Sequence, residues 1–305
     1  MRNGIAMINL IGEQPAPNLL PVYELQPEQV LLVATKKTET VAERLANLLD
    51  KKGYKTDIVF GSPYSVEDTA VQIQTWIAGI RSRKGSVLIG NFTGGTKLMV
   101  LALLKVMQTS LFAERQLCYF RTEGSQGVLY FYDPETLVLL EERALKSTLC
   151  LEEYLKIYLG EFSFGAHSKE DGGDFEEAVA SVLRPVVDEL EMNLKKGGAL
   201  EIDLVFRCGN QVGIAEVKTK GKARKKEGID QLNTAGGPKF LGTYVKKFLI
   251  VDTSWDELTN LRELAEARDI ILVELPSFGA ERELSAEDKE KLVTKVRSEL
   301  RCEGV

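Results

Sequence analysis

Two β-rich runs, Glu201-Ile-Asp-Leu-Val-Phe206 and Gly213-Ile-Ala-Glu-Val-Lys218, flank the pair Gly209-Asn210. Turn residues between such runs predict a hairpin, which sets Asp203 beside Glu216 across the ladder. Strand side chains alternate between faces, so Glu216 and Lys218 share one surface while Val217 points into the opposite layer. Two carboxylates then converge where a hard cation fits, with a lysine beside them. That set of groups suits metal-dependent hydrolysis of a phosphodiester.

The segment before the hairpin adds a third carboxylate. From Gly172-Gly-Asp-Phe-Glu-Glu177 a helix is expected to run from Asp174 to Leu183, ahead of Pro185. Glu176 lies three, four and seven positions before Val179, Ala180 and Leu183, so it is expected on the packed face; Glu177 leans outward to Ser181 and Arg184. An inward carboxylate needs a partner, because burying it alone is costly. After the hairpin, Lys218 to Lys226 forms a basic run suited to an approaching phosphate backbone, and Gln231 falls on the next helix, before Gly236-Gly237. Lys247 to Asp252 and Ile270 to Glu274 are expected strands, and Glu257 to Arg268 an expected helix. Ser285 to Arg301 opens on a good cap and repeats Leu292, Val296 and Leu300, as a packing or dimer helix does.

The first half alternates short β-like runs with helical ones. Ile5 to Ile11, Val30 to Thr35, Thr56 to Phe60, Ser86 to Asn91 and Gln116 to Thr122 are the strand candidates; Thr40 to Lys52 and Val66 to Arg81 carry apolar residues at helical spacing. This predicts an α/β domain with a mostly parallel sheet, whose ligands bind beyond the carboxyl ends of the strands. The loop Gly90-Asn-Phe-Thr-Gly-Gly-Thr-Lys97 follows one strand and opens a helix from Leu98 to Gln108, so it can present backbone N–H groups to an anion. It matches neither a Walker A loop nor G-x-G-x-x-G, which disfavours a nucleoside triphosphatase or a dinucleotide dehydrogenase. Gly12 to Asn18 and Thr35-Lys-Lys-Thr38 leave the first two strands as polar loops.

A chain of 305 residues is expected to form two domains, here 1–140 and 171–305 joined by a connector over 141–170. Leu137 to Glu141 reads as a closing strand leading into the connector and Leu151 to Leu159 as a helix within it, with His167 an exposed linker residue. The net charge of −6 argues against a sequence-blind nucleic-acid coat but leaves room for a local basic groove. Cys118, Cys150, Cys208 and Cys302 are far apart in sequence and make no C-x-x-C pair; with one histidine, no structural zinc is expected, and scattered reduced thiols suit a cytoplasmic protein. The apolar run Ile5 to Ile11 is too short to span a bilayer and reads as a strand, so no membrane association is expected.

Taken together, Gly12-Glu13-Gln14-Pro15 with Asn18, the Thr35-Lys36-Lys37-Thr38 turn and Asn91-Phe-Thr-Gly-Gly-Thr-Lys97 resemble the CARF sensor domain of type III CRISPR ancillary nucleases. Glu176, Asp203, Glu216 and Lys218 resemble the PD-(D/E)xK nuclease constellation, with Ile202 where that pattern's name has proline. The resemblance implies an N-terminal Rossmann-like CARF domain and a C-terminal restriction-endonuclease-like α/β/α domain. It implies a homodimer that binds a cyclic oligoadenylate, cyclic tetra-adenylate foremost, and a nuclease cutting single-stranded DNA or RNA or nicking duplex DNA. By position, Asn91, Thr93, Gly94, Gly95, Thr96 and Lys97 would hold phosphates and riboses, while Gln14, Pro15, Asn18, Thr35, Lys36 and Thr38 would line the adenine and ribose side. Asp203, Glu216 and the Val217 carbonyl would hold Mg²⁺ or Mn²⁺, with Glu176, Lys218 and Gln231 completing the catalytic set. Two competing readings are an unregulated repair or restriction endonuclease and a non-catalytic sensor.

Overall fold

The structure is a computed structural model that describes residues 4–80, 86–123, 126–146, 148–165, 172–255 and 259–302; the expectations placed on Arg81, His167 and Glu257 lie outside these. The chain divides into two compact units, Met1–Leu149 with Lys156–Tyr158, and Cys150–Leu155 with Leu159–Val305. No helix among the described residues is long and apolar enough to cross a membrane.

The first unit contains β1 (Ile5–Leu10), α1 (Ala16–Leu25), β2 (Gln29–Ala34), α2 (Glu39–Lys51), β3 (Lys55–Phe60), α3 (Val66–Gly79), β4 (Val87–Asn91), α4 (Lys97–Thr109), β5 (Glu114–Glu123), β6 (Gln126–Tyr132) and β7 (Leu139–Ala144). Its sheet has the order β3-β2-β1-β4-β5-β6-β7, parallel from β3 to β5 and antiparallel beyond. The reversal of strand order between β1 and β4 opens a crevice at their carboxyl ends. Ile8, Leu10, Leu31 and Val33 pack with Ile73 of α3 and with Met99, Leu103 and Val106 of α4, so the helical periodicity seen in the sequence does bury one face. The sheet extends through Ala144, which takes its last strand past residue 140.

Helix α1 corrects the expectation of a loop after β1. Prolines at 17 and 21 argue against a helix, but Pro17 falls in the first turn, where a missing N–H is no loss. Pro21 cannot donate to the Pro17 carbonyl; Asn91 Nδ2 donates to that oxygen instead, at 3.1 Å. Burial of Leu19, Leu20, Val22 and Leu25 then holds the helix in place.

The second unit contains α5 (Leu151–Leu159, whose residues 156–158 count with the first), β8 (Ser163–Phe164), α6 (Gly173–Leu183), β9 (Glu189–Lys196), β10 (Leu200–Cys208), β11 (Gln211–Lys218), α7 (Glu227–Ala235), β12 (Lys246–Val251), α8 (Thr259–Ala267), β13 (Ile270–Glu274), α9 (Pro276–Glu281) and α10 (Ala286–Leu300). Its sheet runs β13-β12-β11-β10-β9-β8, parallel from β13 to β11 and antiparallel from β11 to β8. Leu204 and Phe206 of β10 and Ala215 and Val217 of β11 face a core shared with Phe175 and Val179 of α6 and with Leu292, Val296 and Leu300 of α10. Alternation therefore leaves Asp203, Glu216 and Lys218 on the other face. Helix α10 spends its apolar stripe inside this unit, so it is a packing helix.

The cysteines differ from the sequence expectation. Cys208, at the end of β10, and Cys302, just past α10, form a disulfide across a separation of 94 residues; Cys118 and Cys150 are free. The packing of α10 against β10 brings the pair together, which spacing alone cannot reveal. Burial pushes the Cys118 thiol up to about 12.

Candidate functional site

In the second unit the β10–β11 ladder ends at Leu204 opposite Ala215, and one further step places Asp203 opposite Glu216. Asp203 Oδ2 accepts the Val217 N–H at 2.7 Å and the Lys218 ammonium at 3.1 Å. Lys218 Nζ also lies 2.5 Å from Glu216 Oε2, an ion pair in which the buried oxygen finds no partner with hydrogen-bond geometry. The ammonium thus bridges the two strand carboxylates.

Charge is crowded here. Glu216 is 1% exposed, and burial and then Asp203 hold its carboxyl well above the usual range despite the lysine. Glu176, reaching in from α6, is raised to about 7, first by burial and next by Asp203, while Lys218 pulls the other way. For Lys218 itself burial works against the charged form, but Glu216 and Asp203 more than offset it, so its pKa rises. Three carboxylates against one ammonium leave two negative charges in excess when all are ionised. Among the described residues, no three Asp, Glu, His or Cys side chains are already gathered as a ligand cluster. The donor types and the excess charge nevertheless fit a hard divalent cation, with oxygen ligands and a deficit of positive charge.

The surrounding elements explain how this set is held. Glu176 belongs to the first turns of α6, and Glu177 faces outward, 3.4 Å from Ser181 Oγ and 3.9 Å from Arg184. Gly228 in α7 leaves no room for a side chain: a Cβ there would meet Leu249 Cδ1 at 2.7 Å and the Lys218 stem at 3.5 Å. Helix α7 thereby lies close over the lysine and carries Gln231, whose Oε1 is buried without a partner. The basic run divides after Lys218: Lys222–Arg224 forms a short 3₁₀ turn whose Ala223 carbonyl accepts from the buried Trp255 Nε1, while Lys225 and Lys226 are exposed.

Two contributors escaped the sequence reading. Gly228 left one signal, a glycine inside a helical pattern. Asp252 accepts the Lys220 N–H on both oxygens at 3.1 Å and so fixes Lys220 in the left-handed region, φ 51°, two residues after Lys218. Its position at a strand end gave no sign of this.

In the first unit the crevice between β1 and β4 is floored by asparagines. Asn9 and Asn91 are paired in register, and Asn91 Nδ2 donates to Asn9 Oδ1 at 2.8 Å. Asn91 Oδ1 accepts from both the backbone N–H and the hydroxyl of Thr93, whose oxygen accepts in turn from the Phe120 N–H at 2.7 Å. The polar groups of Asn91 and Thr93 are therefore engaged in building the loop. Gly94 passes against the end of β1, where a Cβ would sit 2.3 Å from the Leu10 carbonyl oxygen, and Gly95 takes φ 77°. Thr96 caps α4 by accepting the Met99 N–H, and Lys97 is exposed in the first turn. A helix N-terminus with a nearby cation can receive an anion there.

The other residues assigned by resemblance are arranged around this edge. Asn18, buried in α1, donates to the Leu10 carbonyl at 2.9 Å, and its Oδ1 has no partner. Thr35 and Thr38 cap one another in a capping box, Lys36 is exposed and paired with Glu39, Pro15 precedes α1, and Gln14 accepts from the Tyr158 hydroxyl at 3.0 Å. Asn9, with Nδ2 buried and without a partner, was not singled out from the sequence. Its signal was a polar residue inside an otherwise apolar strand run.

Residues 6–154 match the family model of the Card1 CARF domain. Over 98% of both chains the fold is similar to that of protein VC1899 from Vibrio cholerae, with a TM-score of 0.73 at 13% identity. Can2 from Sulfobacillus thermosulfidooxidans, solved in complex with cyclic tetra-adenylate, is similar with a TM-score of 0.72 at 16% identity, covering 97% of this chain and 99% of that one. A type III CRISPR defence DNA nuclease activated by cyclic oligoadenylate aligns with 81% of this chain and 45% of its own, with a TM-score of 0.57 at 15% identity. No curated protein matches the chain in sequence.

Proposed function

We propose, from the match of residues 6–154 to the Card1 CARF domain model, that this protein is a cyclic oligoadenylate-activated, metal-dependent nuclease of type III CRISPR defence, acting as a homodimer on DNA or RNA. The observation that carries the reading is the convergence of Asp203 and Glu216 on the Lys218 ammonium, beside a Glu176 carboxyl raised to about 7. Such crowding raises the energy of the folded chain unless a ligand compensates it. Perturbed carboxylates around a lysine in one place are the pattern of a reactive site.

In this reading Asp203, Glu216 and the Val217 carbonyl hold Mg²⁺ or Mn²⁺. When bound, the ion acidifies water and polarises the phosphoryl group. Lys218, kept protonated by its carboxylates, orients the attacking water and offsets the charge that develops on the phosphorane oxygens. Glu176 supplies the third carboxylate of the site. Gln231 positions the water or the scissile phosphate. In the first unit, the N–H groups of the loop from Gly94 to Lys97 and the Lys97 ammonium receive the phosphates of the activator. A ring of repeated nucleotides suits an isologous dimer, since each subunit meets half of it.

The test is cleavage of a fluorescent single-stranded DNA or RNA reporter with Mn²⁺, with and without cyclic tetra-adenylate. Cleavage by the wild type and none by Glu216→Ala is the expected result. Cleavage that survives Glu216→Ala would overturn the placement of the site.

A further inference from the structure

A cleft of about 770 Å³ opens between the tip of the β9–β10 hairpin and helix α7, and includes Gly198, Leu200, Glu201, Lys225, Lys226 and Gln231 in its lining. We infer that this cleft is a nucleobase subsite, taking the base of a nucleotide that flanks the scissile phosphate. The inference rests on the nuclease reading above, and four observations support it.

The first is continuity with the carboxylates. Glu201 stands two residues before Asp203 on β10, hence on the same face and about 7 Å along the strand. Gln231 brings the same α7 that covers Lys218 to the cleft's other wall. The second is size and chemistry. A cleft of several hundred Å³ suits a small aromatic ligand, and a backbone-rich wall ending at Leu200 opposite a side-chain amide offers both an apolar surface for a base's face and a donor and acceptor for its edge. Gln231 Oε1 is buried and has no partner in the protein. The third is charge: Lys225 and Lys226 line the cleft together with Glu201, Glu227 and Asp230, and Lys226 lies 3.9 Å from Asp230, a mixed lining that suits a neutral base better than a phosphate.

The fourth is Gly198. The glycine before it takes φ 53°, which a turn can require, but Gly198 has no positive φ, and a Cβ built on it meets nothing within 4 Å. Neither backbone conformation nor crowding explains the missing side chain. Gly198 lines the cleft, so a side chain added there alters that lining.

That residue is also the test, because a Cβ at 198 meets no atom within 4 Å and the position has no positive φ, so Gly198→Trp adds an indole at the cleft lining. Ends produced from a random single-stranded pool would be sequenced, and binding of fluorescent dinucleotides measured in Ca²⁺ to suppress turnover. Wild-type ends should show a skewed base composition at one position beside the cut. Gly198→Trp should flatten that skew and weaken dinucleotide binding about tenfold, at an unchanged melting temperature. An unskewed wild type, or skew and binding identical in the variant, would overturn the subsite while leaving the nuclease reading intact. Binding lost in the variant with no cleavage by either protein would keep the cleft and overturn the nuclease.

Discussion

Lys218 is the residue on which the charge balance of the second unit turns. It is the one cation within 3.1 Å of Asp203 and Glu216 among the described contacts, so Lys218→Ala leaves two inward carboxylates with each other. Cleavage should fall by at least about a hundredfold, as for loss of a preorganised electrostatic group, while activator binding is unchanged; a calorimetric titration beside the reporter assay checks both. Glu176 carries a pH signature. Its folded pKa, about 7, lies above the ordinary carboxylate value of 4.5. The folded state thus holds its proton more tightly than the unfolded chain, so this group favours folding most below pH 4.5 and loses that contribution as pH rises to 7 and beyond. In metal-free protein, Glu176→Gln should therefore raise the melting temperature more at pH 8 than at pH 4.5; an equal change at both would contradict the raised pKa. The carboxylates and the lysine were legible because strand alternation and helix spacing fix the face of each side chain. Asp252 was not, since its role is a contact with the Lys220 N–H that only the folded turn creates.

At the scale of elements, two ties decide whether the strands hold their places. Asn91 joins β4 to β1 and to the Pro17 carbonyl that Pro21 leaves free, so Asn91→Ala removes three partners at once. A loss of about 1–3 kcal/mol is expected from the buried groups left unpaired, read from the denaturant midpoint. The Cys208–Cys302 disulfide fastens the end of α10 to β10 across 94 residues. Cys302→Ser, or equilibrium unfolding in reductant, should cost about 2–4 kcal/mol, towards the upper end because the closed loop is long. An unfolding midpoint indifferent to reductant would contradict the bond. Neither tie was readable in advance. Prolines 17 and 21 masked α1, whose helix depends on an asparagine from another strand, and cysteines 94 residues apart meet only because α10 packs where it does. By contrast β1 to β5 and α2 to α4 were readable, since their apolar spacing is a local property. Strand β9 was not, because its run Glu-Leu-Glu-Met-Asn-Leu-Lys-Lys carries charges at its ends and a residue with φ 55° at Asn193.

For the whole molecule, the proposed function puts a sensor and a nuclease on one chain, and coupling between them is then a free energy. The activator can raise the cleavage rate only if it binds one state of the protein better than another. Lys97→Ala should therefore shift the activator concentration needed for half-maximal cleavage upward by about tenfold or more, with the rate at saturating activator and the metal requirement retained. The most direct measurement is the initial rate of single-stranded reporter cleavage in Mn²⁺ with and without cyclic tetra-adenylate. Cleavage that depends on the activator and disappears in Glu216→Ala is expected; a wild-type rate that is the same with the activator bound as without it would contradict the proposed gating.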